Sequence, residues 1–290
     1  MAYLCHGMSF LDRIDECNRW NPDHFQWFVV DGCRVGRVRK ALIPRLVDFP
    51  DVFEIDDDAV VLHPRLSTFA ARSSEMERVV KALCAEGIVT GVRGEYYAVT
   101  RSFAEPPFLQ IERAAVPHFG VRAFGVHMNG FVRDDDGIHM WIGRRARDKH
   151  TYPGMLDNLV AGGQPIGIGL TDNLIKECAE EAAIPRDLAR RAVAVGAITY
   201  CVEAADGLKP DVQFCFDLEL PADFTPRNTD GEIAEFYLWP IAKVADIVSE
   251  TREFKFNCNP VVIDFLVRHG LIPPDHPDYV AICQGLRRAL

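Results

Sequence analysis

Three glutamates, Glu177, Glu180 and Glu181, stand at spacings of three and four in the stretch LTDNLIKECAEEAAIP. At about 100° per residue this stretch is an amphipathic helix. Leu174, Ile175, Cys178, Ala179, Ala182 and Ala183 share one half of it, and the three carboxylates share an arc on the other. Like charges so placed cost a helix roughly 0.2–0.5 kcal/mol per pair. Two readings account for them. One is a solvated acidic face. The other is a set of hard oxygen donors for Mg2+ or Mn2+, whose charge offsets the repulsion. No lysine or arginine follows at helical spacing, and Arg186 lies beyond Pro185.

The elements around this helix must hold its acidic side near a glycine turn. Thr171 or Asp172 is the expected N-cap and Pro185 limits the far end. Upstream, LDNLVAGG reads as a strand ending at Gly162 and Gly163. VRAFGVHMNGFV and IHMWIGRR read as a hairpin turning at RDDDG, and AVAVGAITYCVEA with VQFCFDLEL as a second. EIAEFYLW is a further strand, and PIAKVADIVSE and NPVVIDFLVRHG are helices. Residues 1–117 alternate short strands and helices, among them a hairpin turning at Asp56–Asp58 and a helix with Ser74 and Glu77 as its capping box and Gly87 as its stop. The proline-broken stretch AEPPFLQIERAAVPHFG suggests two units, an accessory α+β domain over 1–117 and a layered α/β domain over 118–290.

Gly162-Gly163, followed by Lys176-Glu177-Cys178-Ala179-Glu180-Glu181-Ala182-Ala183-Ile184, resembles a Nudix box. That motif ends Arg-Glu-apolar-x-Glu-Glu-x-Gly-apolar and is preceded by a glycine loop and an upstream glutamate. Ile168 stands in place of that glutamate, Lys176 of the arginine and Ala183 of the glycine, and the loop is one residue short. The resemblance implies an α/β/α sandwich with a mixed sheet. The implied enzyme hydrolyses a phosphoanhydride with a divalent metal. It implies Glu177, Glu180 and Glu181 as metal ligands, with Glu181 activating water, and the Gly162 carbonyl as a further ligand. It also points to Glu232 or Glu235 as another ligand or base.

TYPGMLDNLVAGG, RAAVPHFGVRAFGVHMNGFV and DGEIAEFYLWP are similar to one Nudix branch, which includes the domain fused to fungal thiamine pyrophosphokinase. The substrate so implied is thiamine diphosphate or an oxidised analogue. A nucleoside-diphosphate-linked substrate such as ADP-ribose or a dinucleotide is the alternative, and a non-catalytic ligand-sensing module is the rival from another class.

Arg144 or Arg145, with Lys149, could clamp phosphate oxygens, though strand alternation turns only one arginine inward. Tyr152 and Trp141 could stack on an aromatic ring, with core packing the expected role of Trp141. His127, His139 and His150 share no ligand spacing and are read as ordinary core or surface residues. The composition, 48% apolar and 26% charged, is that of a globular chain, and the net charge of -10 disfavours nucleic acid and anionic membrane as partners. The nine cysteines form no CxxC pair, and the N-terminus lacks a signal pattern. These features predict a cytoplasmic protein with reduced thiols.

Overall fold

A computed structural model describes residues 9–149 and 151–290; His150 lies outside the described residues. The first part of the chain forms α1 (Phe10–Glu16), β1 (Phe25–Val30), β2 (Cys33–Arg39), α2 (Ile43–Leu46), β3 (Phe53–Ile55), β4 (Ala59–Leu62), α3 (Phe69–Ala85), β5 (Tyr96–Val99), β6 (Leu109–Glu112) and α4 (Val116–Phe119). There follow β7 (Phe124–Asp134), β8 (Gly137–Arg145), β9 (Leu156–Asp157), β10 (Val160–Gly163), α5 (Leu170–Ala182) and α6 (Arg186–Ala189). The chain continues through β11 (Val193–Ala204), β12 (Gly207–Glu219), β13 (Ile233–Pro240), α7 (Ile241–Glu250), α8 (Cys258–Arg268) and α9 (Tyr279–Gly285).

The fold is mixed α/β, as expected. A seven-stranded sheet runs in the order β11-β12-β7-β8-β13, with β10 added to β7 and β9 to β8. It is a mixed sheet, because β12 is parallel to β7 while β8 is antiparallel to it. Strand β7 is buried along most of its length, which explains the near-continuous apolar run of its sequence. One face carries Val126, Met128 and Trp141 against Leu174, Ile175 and Cys178 of α5. The other carries Phe131, Met140 and Ile142 against α7 and α8. Helices therefore cover both faces. The first part has its own core, from Phe28 to Val121, built on a four-stranded sheet and the hairpin β5–β6. Helix α1 departs from this, since its Ile14, with Phe10 and Leu11, packs in the core of α7 and α8.

Three local expectations change. Helix α3 starts at Phe69, with Thr68 as its N-cap, because the Thr68 hydroxyl accepts the Ala71 N–H at 3.2 Å. Ser73 and Ser74 are then interior residues, and the Ser73 hydroxyl serves Gln110 N–H of β6 instead. The stretch LDNLVAGG divides into β9, on β8, and β10, on β7, since no single straight strand can pair with both. Helix α5 begins at Leu170 with Gly169 in the N-cap position, two or three residues before the predicted caps and without a side-chain cap. Every described cysteine is a free thiol. Among the described residues, no helix is long and apolar enough to cross a membrane.

Candidate active site

Helix α5 lies along β10, and two of its carboxylates reach that strand. Glu181 is only 6% exposed, and its Oε2 accepts the Ala161 N–H at 2.8 Å. Glu177 lies over Gly162 so closely that a Cβ there would sit 2.4 Å from its Cδ. The next glycine is needed for a different neighbour. A Cβ on Gly163 would lie 1.5 Å from the hydroxyl of Tyr97 on β5. The paired glycines thus admit a carboxylate on one side and a tyrosine from the first part of the chain on the other. A second link ties the same parts together, because Ile166 N–H donates to Tyr96 O at 2.9 Å.

The three glutamates are not equivalent. Burial is the largest influence on Glu181 and pushes its carboxyl well above the ordinary range, with Asp157, Glu177 and Glu232 adding to it and the Ala161 N–H opposing. Glu177 is also raised, first by burial, against the pull of Lys176. Glu180 is about half exposed. No lysine or arginine follows the glutamates, yet the Lys176 ammonium donates to Glu180 at 2.7 Å and Glu177 at 3.2 Å. The residue that neutralises the cluster precedes it, one position before Glu177 and four before Glu180.

The carbonyls of this strand end sort by alternation. In an antiparallel pair, the N–H and C=O of one residue point to the same side, and successive residues to opposite sides. Gln164 N–H bonds Phe124 O, so Gly162, two residues back, faces β7, and its carbonyl oxygen would lie 3.0 Å from a Cβ on Gly125. The Gly162 carbonyl is therefore turned into the ladder, contrary to the expectation for it. Ala161 points its N–H at Glu181, so its carbonyl faces the acidic helix too. The Gly163 carbonyl, on that side as well, accepts Asn173 Nδ2 at 2.8 Å. The donor set on offer, the buried Glu181, the partly buried Glu177, the half-exposed Glu180 and the Ala161 carbonyl, is all oxygen and suits a hard divalent cation.

The other predicted site residues divide. Glu232 is brought near: its charge acts on Glu181, and its carboxylate pairs with Lys149 at 2.5 Å. Glu235 is not, for it accepts from the Tyr237 hydroxyl, on which Arg144 also rests at 3.2 Å. Arg144 further donates to Gly154 O at 2.9 Å. Arg145 is buried, and its donors are taken by Asp157 at 2.9 Å and by the carbonyls of Thr151 and Tyr152. Neither arginine is a free phosphate clamp, because holding β8 to its neighbours uses up their hydrogen bonds. Tyr152 is tilted against Phe256 at 5.6 Å, among Lys255 and Asp211 rather than the glutamates. Trp141 is core.

Other residues join the site without any sequence signal. Tyr97 comes from β5 and Arg113 from the residue directly after β6; Arg113 pairs with Glu95 at 2.7 Å and lies 5.8 Å from the Tyr97 ring centre. The charge of Glu232 acts on Arg113, and that of Glu95 on Glu177. Nothing in the spacing of residues 93–113 marks them, since only folding brings them beside α5.

A second cluster has metal-like spacing but a different balance. Donor atoms of His127, Asp157 and Cys258 all lie within 4.8 Å of one another, deep in the protein. Asp157 already accepts from Arg145 and, at 2.8 Å, from the Cys258 thiol, with Lys255 at 3.8 Å. Burial opposes ionisation of Asp157, but Lys255 and Arg145 outweigh it and hold the carboxyl below its ordinary range. The charge a cation would supply is thus present already. This is a buried ionic knot joining β7, β9 and α8.

Known proteins resemble the whole chain. Nudix hydrolase 20, chloroplastic, of Arabidopsis thaliana is 45% identical over 290 residues, covering 96% of this chain and 78% of its own. The chain belongs to the Nudix hydrolase family. Nudix hydrolase 24, chloroplastic, of the same plant is also 45% identical, over 283 residues, with the same coverage of 96% and 78%. The family described as a domain of unknown function, DUF4743, matches residues 9–123. Among solved structures, the Nudix domain of Shewanella oneidensis NrtR complexed with ADP ribose aligns at 15% identity and a TM-score of 0.42, over 52% of this chain and 90% of its own. This Nudix protein is an enzyme, a pyrophosphohydrolase of a family that works with divalent metal. The cytoplasmic location expected from the sequence does not stand, because both plant relatives are chloroplastic by name.

Proposed function

We propose that this Nudix hydrolase cleaves the phosphoanhydride of a small organic diphosphate, first of all one of the thiamine type, with Mg2+ or Mn2+. The observation that carries the reading is the convergence of Glu177 and Glu181 on one strand end, at Gly162 and the Ala161 N–H. Lys176 reaches Glu177 and Glu180 but not Glu181, and a buried carboxylate held by one N–H alone is costly unless a cation joins it. Glu177, Glu180, Glu181 and the Ala161 carbonyl would hold the ion. When bound, it supplies positive charge to the diphosphate oxygens and acidity to water.

The chain's own residues do the rest. The Ala161 N–H fixes the Glu181 carboxylate, which accepts a proton from the attacking water. The new P–O bond forms as the bridging P–O bond breaks, and the electron pair leaves on the departing phosphate oxygen. Lys149 and Arg113 supply positive charge beside Glu232. Residues 118–290 make the hydrolytic unit, and residues 1–117 an accessory unit that leans on the glycine loop through Tyr96 and Tyr97. The thiamine-type substrate is supported by the segments similar to that branch, one of which, DGEIAEFYLWP, carries Glu232.

The test follows products with Mg2+, free phosphate from thiamine diphosphate and its oxidised analogues and AMP from ADP-ribose and NADH, with Glu181→Gln in parallel. Turnover of the thiamine compounds, lost in the variant, supports the reading. Turnover of nucleotides alone retains the chemistry and discards the substrate, and turnover that survives Glu181→Gln removes the mechanism.

A further inference from the structure

Between the hairpin β5–β6 and the loop after β10 lies a cavity of about 200 Å3. Tyr97, Phe103, Arg122, Phe124, Gln164 and Ile168 are among the residues lining it. The lining mixes aromatic and apolar side chains with a few polar ones, as ligand pockets do. Phe103 is 44% exposed, and its ring meets Phe124 edge-on at 5.2 Å and Phe214 at 4.9 Å.

Two buried polar atoms of residues that line it have no hydrogen-bond partner among the described residues. Gln164 is 6% exposed, and its Nε2 donates to Ile168 O at 2.8 Å and Pro165 O at 3.3 Å. Those two carbonyls decide which end of the amide is the NH2 group. The other end, Oε1, is buried and has no hydrogen-bond partner among the described residues. Arg122 gives Nη1 to Arg101 O, while its Nε is buried and likewise without a partner among the described residues. A buried acceptor and a buried donor left unpaired are a recognition pattern waiting for its complement.

The cavity also adjoins the glutamates. The Tyr97 ring lines it, the Tyr97 hydroxyl lies on Gly163, and the preceding glycine carries Glu177. Ile168 stands where the motif this chain resembles has a glutamate, and here that position turns an apolar residue to the cavity.

We propose that this cavity is the pocket for the organic end of the substrate, an amino-substituted heteroaromatic ring. Its N–H donates to Gln164 Oε1, a ring nitrogen accepts from Arg122 Nε, and its face packs against Phe103. The assignment rests on the hydrolase reading for its link to the diphosphate, but the ring contacts stand apart from the chemistry. The ring chemistry is shared by aminopyrimidines and adenines.

The experiment titrates the full chain, in EDTA, with thiamine and separately with adenosine, by calorimetry or ligand-observed NMR. Gln164→Leu is expected to weaken the bound ring at least tenfold. Phe103→Ala, at an exposed position that leaves the fold intact, weakens it as well, and Glu181→Gln leaves it unchanged. Binding of thiamine alone assigns an aminopyrimidine, and binding of adenosine alone an adenine. Binding of neither ring, or equal binding by wild type, Gln164→Leu and Phe103→Ala, overturns the pocket even if phosphate release proceeds. Ring binding without turnover of any diphosphate would leave the pocket and remove the hydrolase reading.

Discussion

The Tyr97 hydroxyl lies 1.5 Å from where a Cβ on Gly163 would sit, so an accessory residue occupies the space that a side chain on the glycine loop would fill. Gly163→Ala should destabilise the protein by roughly 1–3 kcal/mol through overpacking. Removing the hydroxyl in Tyr97→Phe should relieve part of that cost. Denaturant midpoints of the two single variants and the double variant measure the coupling, and strictly additive effects would falsify the contact as the reason for the glycine.

Glu181→Gln should have opposite effects with and without metal. The amide oxygen can still accept the Ala161 N–H, while the penalty of burying a charge disappears. Without divalent ion the variant should melt at or above the wild-type temperature. Millimolar Mg2+ or Mn2+ should raise the wild-type melting temperature and leave the variant nearly unmoved. A variant that gains as much from the ion as wild type would show that the metal sits elsewhere.

Ala183 closes α5 in the left-handed region, φ 54°, where the resembling motif has glycine. A side chain there strains the backbone. Ala183→Gly should stabilise by about 1 kcal/mol, a rise of about 2–4 °C in melting temperature for a chain of this size. A fall on thermal unfolding would mean that the Ala183 methyl contributes packing that outweighs the strain.

His127 is buried, and that burial, helped by Lys255, lowers its imidazole from an ordinary 6.5 to about 4. The unfolded chain therefore binds the extra proton first as pH falls. The stability held by the neutral ring is complete above pH 6.5 and is lost as pH drops from 6.5 toward about 4, by roughly 3 kcal/mol. His127→Gln keeps an N–H donor for Asn158 Oδ1 and does not titrate. Urea midpoints at pH 7 and pH 5 should fall more steeply for wild type than for this variant; equal slopes would place the acid sensitivity in other groups.

Local pattern determined much of this protein by itself. Periodicity marked α5, α7 and α8 and the long hairpins, because a helix or strand with one buried side repeats its apolar residues at a fixed interval. The motif identified the acidic helix and the glycine pair. Tertiary structure decided what lies opposite them. Glu181 became buried and Glu180 stayed half exposed because β10 covers one flank of α5 only. Arg145 was lost as a clamp because Asp157, twelve residues on, lies beside it and takes its charge. The Gly162 carbonyl turned toward β7 because strand alternation, set by pairing with a distant strand, fixes where each carbonyl points. Tyr97, Arg113 and Gln164 carried no local signal, since their significance comes from contacts made across the fold, and a single chain read in order holds no trace of which distant residues will meet.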